Sequence, residues 1–172
     1  MPTDSPLLSA AQLAPVVSRL VRAPSVTHEH GESAMADEIE AILRGSGVAS
    51  RRIETMPGRP SLGAVLGPSG GPSLVLNTHL DTVPVDEPER WTVDPYGGEV
   101  RDGFVYGRGA LDLKGAIAIQ LALVTWASRL REPLRGRLVL HFAAGEERGD
   151  PGTPSLLEAG FTADQGGVLE PT

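Results

Sequence analysis

The chain has 172 residues, 21 of them glycine and 15 proline, and a formal charge of −7 from 15 basic and 22 acidic residues. That length supports one domain with a real core, and an acidic balance without a basic stripe argues against nucleic acid or an anionic membrane as partner. There is no cysteine, which excludes disulfides and thiolate metal sites, so any transition metal has to be held by histidine and carboxylate. Asp4 lies in an N-terminus with no basic stretch ahead of an apolar one, and no apolar run reaches the roughly 18 residues of a membrane span. The expected location is therefore the cytoplasm.

In chain order, Ser9 caps a predicted helix running to about Arg22, with Leu13, Val16, Val17 and Leu20 at helical spacing. A second helix spans about 32–43, with Met35, Ile39, Ile42 and Leu43 as its apolar stripe and Gly45 and Gly47 as its end. Segments 51–55 and 62–66 read as a hairpin around Pro57-Gly58-Arg59-Pro60, and 73–78 as a short buried strand. The polar, proline-rich stretch 83–98 reads as a long loop, of the kind that is usually functional in a compact domain. A small ribbon, 99–101 with 105–106, turns at Asp102-Gly103. The clearest helix spans about 114–130, with Ile117, Leu121, Val124 and Leu130 on one side and the small residues Gly115, Ala116, Ala118 and Ala122 for close packing on a sheet. A strand at 137–143, a short helix at 153–159 and a last strand beginning at 167–169 complete the chain. Alternating strands and helices predict an α/β sandwich whose sheet is mixed but largely parallel, with the hairpin adding antiparallel edge strands.

Four stretches carry the chemistry. Each places a metal-ligating residue just after a predicted strand or in a glycine-rich loop: Asn77-Thr78-His79-Leu80-Asp81, the loop from Gly107 to Gly115 with Asp112, Gly145-Glu146-Glu147, and Leu169-Glu170-Pro171-Thr172. His79 and Asp81, two apart in an extended segment, point the same way, so the ring can bind a metal through one nitrogen while the carboxylate addresses the other. Asp112 reads either as the N-cap of the long helix or as a carboxylate that bridges two cations. Adjacent carboxylates such as Glu146 and Glu147 repel, so a site that uses both needs a cation or a proton between them. One of the pair then ligates while its neighbour serves as base, and the residue types alone leave open which does which. A histidine with several carboxylates at strand ends suits a pair of divalent cations, a device for hydrolysis.

The order of these motifs resembles the co-catalytic zinc peptidases and amidohydrolases, the family of acetylornithine deacetylase, succinyl-diaminopimelate desuccinylase, aminoacylase and carboxypeptidase G. The resemblance rests on His79-Leu80-Asp81-Thr82-Val83-Pro84, Trp91-Thr92-Val93-Asp94-Pro95, the run Tyr106-Gly107-Arg108-Gly109-Ala110-Leu111-Asp112-Leu113-Lys114-Gly115, the Glu146-Glu147 pair and Glu170-Pro171-Thr172. It implies a three-layer zinc-peptidase-like sandwich, and a metal-dependent hydrolase cleaving an N-acyl amino acid or small peptide, as a deacylase or an exopeptidase. It also implies roles. His79 and Glu170 would hold one metal, Asp112 would bridge, Glu147 would hold the second, Glu146 would be the general base and Asp81 would orient His79. Two divalent cations are implied, zinc first, with cobalt and manganese compatible.

Two departures stand out. Gly145 replaces an Asp found before the glutamate pair in many relatives, at a position that is not a ligand. The family also continues into a lid or dimerisation domain and a returning segment with a second metal-binding His. Residues 1–172 therefore read as the N-terminal portion of the catalytic domain, incomplete without the lid, with a homodimer only in the full-length form. The alternative is a truncated, catalytically inactive metal-binding fragment. His28, His30 and His141 are poor substitutes for the second His: the first two fall in a polar loop and the third inside a strand, as a packed residue.

Overall fold

A computed structural model describes residues 9–27, 29 and 31–171, which places His28, His30 and Thr172 outside the described residues. Helix α1 (Ala10–Val21) starts at Ser9, whose extended backbone turns its carbonyl onto the amides of Gln12 and Leu13 while its own N–H donates to the Gln12 side chain at 2.9 Å. Then follow α2 (Ser33–Gly45), β1 (Ser50–Met56), β2 (Arg59–Leu66), β3 (Ser73–His79), the ribbon β4 (Glu99–Arg101) and β5 (Phe104–Tyr106), α3 (Gly115–Ala127), β6 (Arg137–Ala143), α4 (Gly152–Glu158) and β7 (Gln165–Val168).

Five strands form one sheet in the order β1-β2-β6-β3-β7. Strand β2 is antiparallel to both β1 and β6, whereas β6–β3 and β3–β7 are parallel, so four of the five strands run one way and only β2 is reversed. The hairpin lies at one edge, as its sequence suggested, with β1 outermost. Side chains alternate across the sheet. Leu138, Leu140 and Phe142 of β6 join Leu62 and Ala64 of β2 in a core with Leu20, Ile39, Leu43, Ile117 and Leu121 from the first three helices. Val139 and Ala143 face the other way, onto Leu156 of α4 and Phe161. The result is the expected three layers. His141 is packed inside β6, its Nε2 2.7 Å from the Phe161 carbonyl.

The structure departs from expectation at α3 and β7. Helix α3 ends at Ala127, short of Leu130, and is preceded by a π-helical turn at Ala110–Lys114 in which Asp112 and Leu113 leave helical geometry. Counted through that turn, Ala110–Ala127 is an 18-residue helical stretch of mean hydropathy 1.4, which does reach membrane-spanning length, contrary to the sequence reading. Its packing is that of a core helix. Ile117, Leu121 and Val124 are buried, and the equally buried Gln120 donates to the Leu76 carbonyl at 2.9 Å and accepts from Thr78 Oγ1 at 2.8 Å. Strand β7 begins two residues early, pairing Gly166 with Val75 at an approach that glycine permits and that an apolar pattern does not reveal.

Gly63 of β2 also permits a close approach, on the face that packs against Phe161. A Cβ there would stand inside the Phe161 ring, whereas a Cβ on Gly45 at the end of α2 meets nothing within 4 Å. Gly63→Ala is therefore expected to cost about 1–3 kcal/mol through overpacking, and Gly45→Ala to add about 0.5–1 kcal/mol. Urea unfolding of the two variants checks both signs.

Candidate metal centre

Because β6, β3 and β7 are parallel, their C-terminal ends share one edge of the sheet, the position where α/β folds build sites. His79 is the last residue of β3, Glu146 and Glu147 lie in a 3-10 turn (Glu146–Arg148) just beyond β6, and Glu170 is two residues beyond β7. Asp112 arrives from the turn before α3. His79 Nε2 stands 3.1 Å from Asp112 Oδ1 and 3.8 Å from Glu170 Oε2. The ligand atoms of His79, Asp112 and Glu170 all lie within 4.8 Å of one another, and so do those of His79, Glu146 and Glu147. The structure thus brings together every ligand and base candidate read from the sequence, with His79 common to both groups.

The N-cap reading of Asp112 does not hold. The cap of α3 is Lys114, and Asp112 sits two residues earlier in extended backbone (φ −114°, ψ 92°) with a half-exposed carboxylate turned to His79. Lys114 is buried, and its Nζ donates to the Ala23 carbonyl at 3.0 Å; burial pulls its pKa down to about 7.

Asp81 meets the His79 ring chiefly through its backbone. His79 Nδ1 is 3.0 Å from the Asp81 backbone carbonyl and 3.6 Å from its carboxylate, so the ring N–H donates to the carbonyl and Nε2 is left facing the acids. The carboxylate is engaged elsewhere. Its Oδ1 accepts the Glu146 amide at 3.0 Å, and its Oδ2 accepts the Glu147 amide at 3.2 Å and Thr27 Oγ1 at 2.6 Å. Two more amides of the same turn are held from behind: Ala144 N–H by Ser61 Oγ at 3.0 Å and Gly145 N–H by Glu32 Oε1 at 3.1 Å. Four successive amides therefore end on side-chain oxygens. Gly145, at φ 77°, makes the sharp turn that allows this, and a Cβ there would come within 2.8 Å of Met56 Cε.

The charges agree with the geometry. Burial disfavours the charged His79 ring, but the Asp81 hydrogen bond and the charges of Asp81, Glu170 and Asp112 outweigh it and push the pKa up to about 9. Burial likewise works against charged Asp81, and the adjacent His79 ring, with the Thr27 hydroxyl and the Glu146 amide bonded to the carboxylate, overcomes it and holds the carboxyl below its ordinary value. Glu147 is pushed up by burial and then by the charge of Asp112, and Glu170 by burial and by Asp112 and Glu146, with His79 opposing in both. Carboxylates crowded around one imidazole thus favour positive charge at this edge of the sheet.

Thr27, Ser61, Glu32 and Arg59 were not picked out by the sequence reading. Three of them carry no local signal. Glu32 does, since glutamate is an uncommon N-cap, and here it caps α2 without any side-chain cap bond, its carboxylate being turned inward.

Comparison with known proteins agrees with this picture. Residues 75–171 match the family model described as Peptidase family M20/M25/M40. The chain is 38% identical over 143 residues to a succinyl-diaminopimelate desuccinylase of Methylorubrum extorquens, covering 81% of this chain and 37% of that protein. It is 42% identical over 143 residues to a succinyl-diaminopimelate desuccinylase of Cereibacter sphaeroides, covering 81% and 36%. An M20 family metallo-carboxypeptidase from Sulfolobus solfataricus superposes with a TM-score of 0.80 at 21% identity over 92% of this chain and 37% of that one, a likeness of fold. The chain belongs to peptidase family M20/M25/M40, and it spans a little over a third of the length of the curated relatives it matches.

The raised His79 pKa has a signed consequence. Its stabilising contribution to the metal-free chain is complete below about pH 6.5 and is lost as pH rises through about 9. Lys114 acts with the opposite sign, since its pKa falls from 10.5 to about 7 on burial and stability gains between those values. The difference in melting temperature between wild type and His79→Asn in a chelator isolates the first effect. That difference is expected to shift steadily against wild type between pH 6.5 and 9, and a flat difference would contradict the arrangement.

Proposed function

We propose that this member of peptidase family M20/M25/M40 is a two-metal-dependent hydrolase of the amide bond in an N-acyl amino acid or small peptide, with residues 1–172 forming the N-terminal portion of its catalytic domain. The observation that carries the reading is the convergence on His79 of two carboxylate pairs, Asp112 with Glu170 and Glu146 with Glu147, within 4.8 Å in each group. One imidazole nitrogen among carboxylate oxygens is a donor set that suits zinc first, with cobalt or manganese compatible.

In this reading His79 Nε2 and Glu170 hold one cation, Asp112 is shared, and Glu147 holds the second. The charge that Glu147 feels most is that of Asp112, the shared carboxylate of this reading. When bound, such a pair of cations lowers the pKa of water and polarises the scissile carbonyl. Glu146, held by its amide but with its carboxylate half-buried in the cleft, takes the proton of the attacking water and delivers it to the leaving amine. Asp81 keeps the imidazole turned so that Nε2 faces the cleft and keeps the base beside it. The curated relatives cited above are named desuccinylases, which favours deacylation over exopeptidase action and makes an N-succinyl amino acid the first substrate to assay.

A second reading is metal binding without turnover by these 172 residues. It is favoured by the covered share of the relatives, 37%, and by the second cation having two protein ligands where the first has three.

Metal content and hydrolysis of N-succinyl and N-acetyl amino acids with added zinc or cobalt test both readings. Glu146→Gln is expected to lower kcat by about 10²–10⁴-fold with metal content unchanged, whereas Glu147→Gln loses metal as well. Equal metal loss in the two variants would mean that the assignment of the pair is wrong. Metal-loaded wild type without any turnover would select the second reading.

A further inference from the structure

Behind the Glu146–Arg148 turn lies a buried ion pair that the hydrolytic reading does not use. Glu32 is wholly buried, and the Arg59 side chain is only 12% exposed. The guanidinium forks onto the carboxylate, with Nε 2.7 Å from Oε2 and Nη2 2.6 Å from Oε1. Burying two charges carries a desolvation cost that their attraction barely offsets, so stability alone is a weak reason for such a pair. The pair also has a third member, because Glu32 Oε1 accepts the Gly145 amide at 3.1 Å.

We propose that Glu32 is a positioning residue for Glu146 and Glu147, and that Arg59 fixes it in that task. The proposal rests on the hydrolytic reading for what the turn does, and on the hydrogen bonds for how the turn is held. Gly145 immediately precedes Glu146 and sits at φ 77°, the kind of backbone that has most freedom to swing. A hydrogen bond to a charged acceptor is about twice as strong as a neutral one. The bidentate fork holds both oxygens of Glu32 and leaves Oε1 aimed at the Gly145 N–H. The two partners are themselves tied together, since Ser33 Oγ beside Glu32 donates to the carbonyl of Gly58 beside Arg59 at 3.0 Å. Asp81 grips the turn one and two residues later, so the carboxylates of Glu146 and Glu147 are held within reach of His79 by two buried anchors on successive amides.

The test compares wild type, Glu32→Gln and Arg59→Lys in the 172-residue chain, with Gly63→Ala as a variant destabilised elsewhere. Arg59→Lys keeps the charge and loses the fork, and so serves if Glu32→Gln does not fold. Two readouts are taken: amide hydrogen exchange at Gly145, Glu146 and Glu147 without metal, and titration with cobalt(II) followed by its visible absorption. Expected is exchange about tenfold faster or more at those amides in the pair variants, at a rate above that of Gly63→Ala once each is corrected for global stability. The weaker cobalt step is expected to loosen by about 10–100-fold with the tighter step nearly unchanged. Exchange no faster than in Gly63→Ala would overturn the proposal, as would unchanged cobalt binding in both steps. If wild type binds no cobalt, the hydrolytic reading is what fails, and the exchange rates at the three amides still decide whether Glu32 holds the turn.

Discussion

A single buried carboxylate, that of Asp81, takes the amides of two neighbouring glutamates and the Thr27 hydroxyl while its own backbone carbonyl takes the ring N–H of His79. The rest of the site depends on it. Carboxylates brought together repel, and side chains on a free loop would swing into water to escape. Here they do not, because the backbone beneath Glu146 and Glu147 is fixed from behind by acceptors that are themselves buried. The energy stored in crowding Asp112, Glu147 and Glu170 around one imidazole is then available to whatever positive charge enters.

The sheet supplies the direction and a short brace supplies the alignment. Parallel β3, β6 and β7 deliver their last residues to one edge, and the backbone pairing even runs past their ends, with Leu80 N–H on the Ala143 carbonyl at 2.7 Å and Leu169 N–H on the Asn77 carbonyl at 3.0 Å. Asp112 has no strand of its own and is steadied through its neighbours. Lys114 reaches the Ala23 carbonyl, Val26 pairs with Thr82, and Thr27 closes on Asp81. The segment between α1 and α2 therefore joins the Asp112 turn to the Asp81 hub, which gives a physical reason for a lysine to be buried in that turn.

Much of this was legible in the sequence, for reasons that differ by residue. Strand 137–143 could be read because burial on both faces writes an apolar run, and the first helix because Ser9 and the spacing of Val17 and Leu20 agree. The ligand candidates could be read from motif order, since strand-end acids and histidine in an α/β chain point to one edge. The supports could not. Thr27, Ser61 and Arg59 act through side-chain contacts across 54, 83 and 27 residues of chain, and no periodicity encodes such pairs. The Asp81 carboxylate stands 3.6 Å from the His79 ring rather than at hydrogen-bond distance, because three donors from distant segments claim its oxygens. The start of β7 was hidden by Gly166, whose role is close approach rather than burial.

Anomalous diffraction at the zinc edge, from crystals of this chain grown with excess zinc, is the most direct measurement of the central claim that this held turn builds a two-cation site. Expected are two peaks about 3.5–4 Å apart, the stronger with His79 Nε2 and Glu170 at about 2.0–2.2 Å, Asp112 between the peaks, Glu147 on the weaker one, and both glutamate amides still on Asp81. Zinc bound through Glu146 with the Glu147 amide released from Asp81, or zinc bound away from His79 altogether, would contradict it.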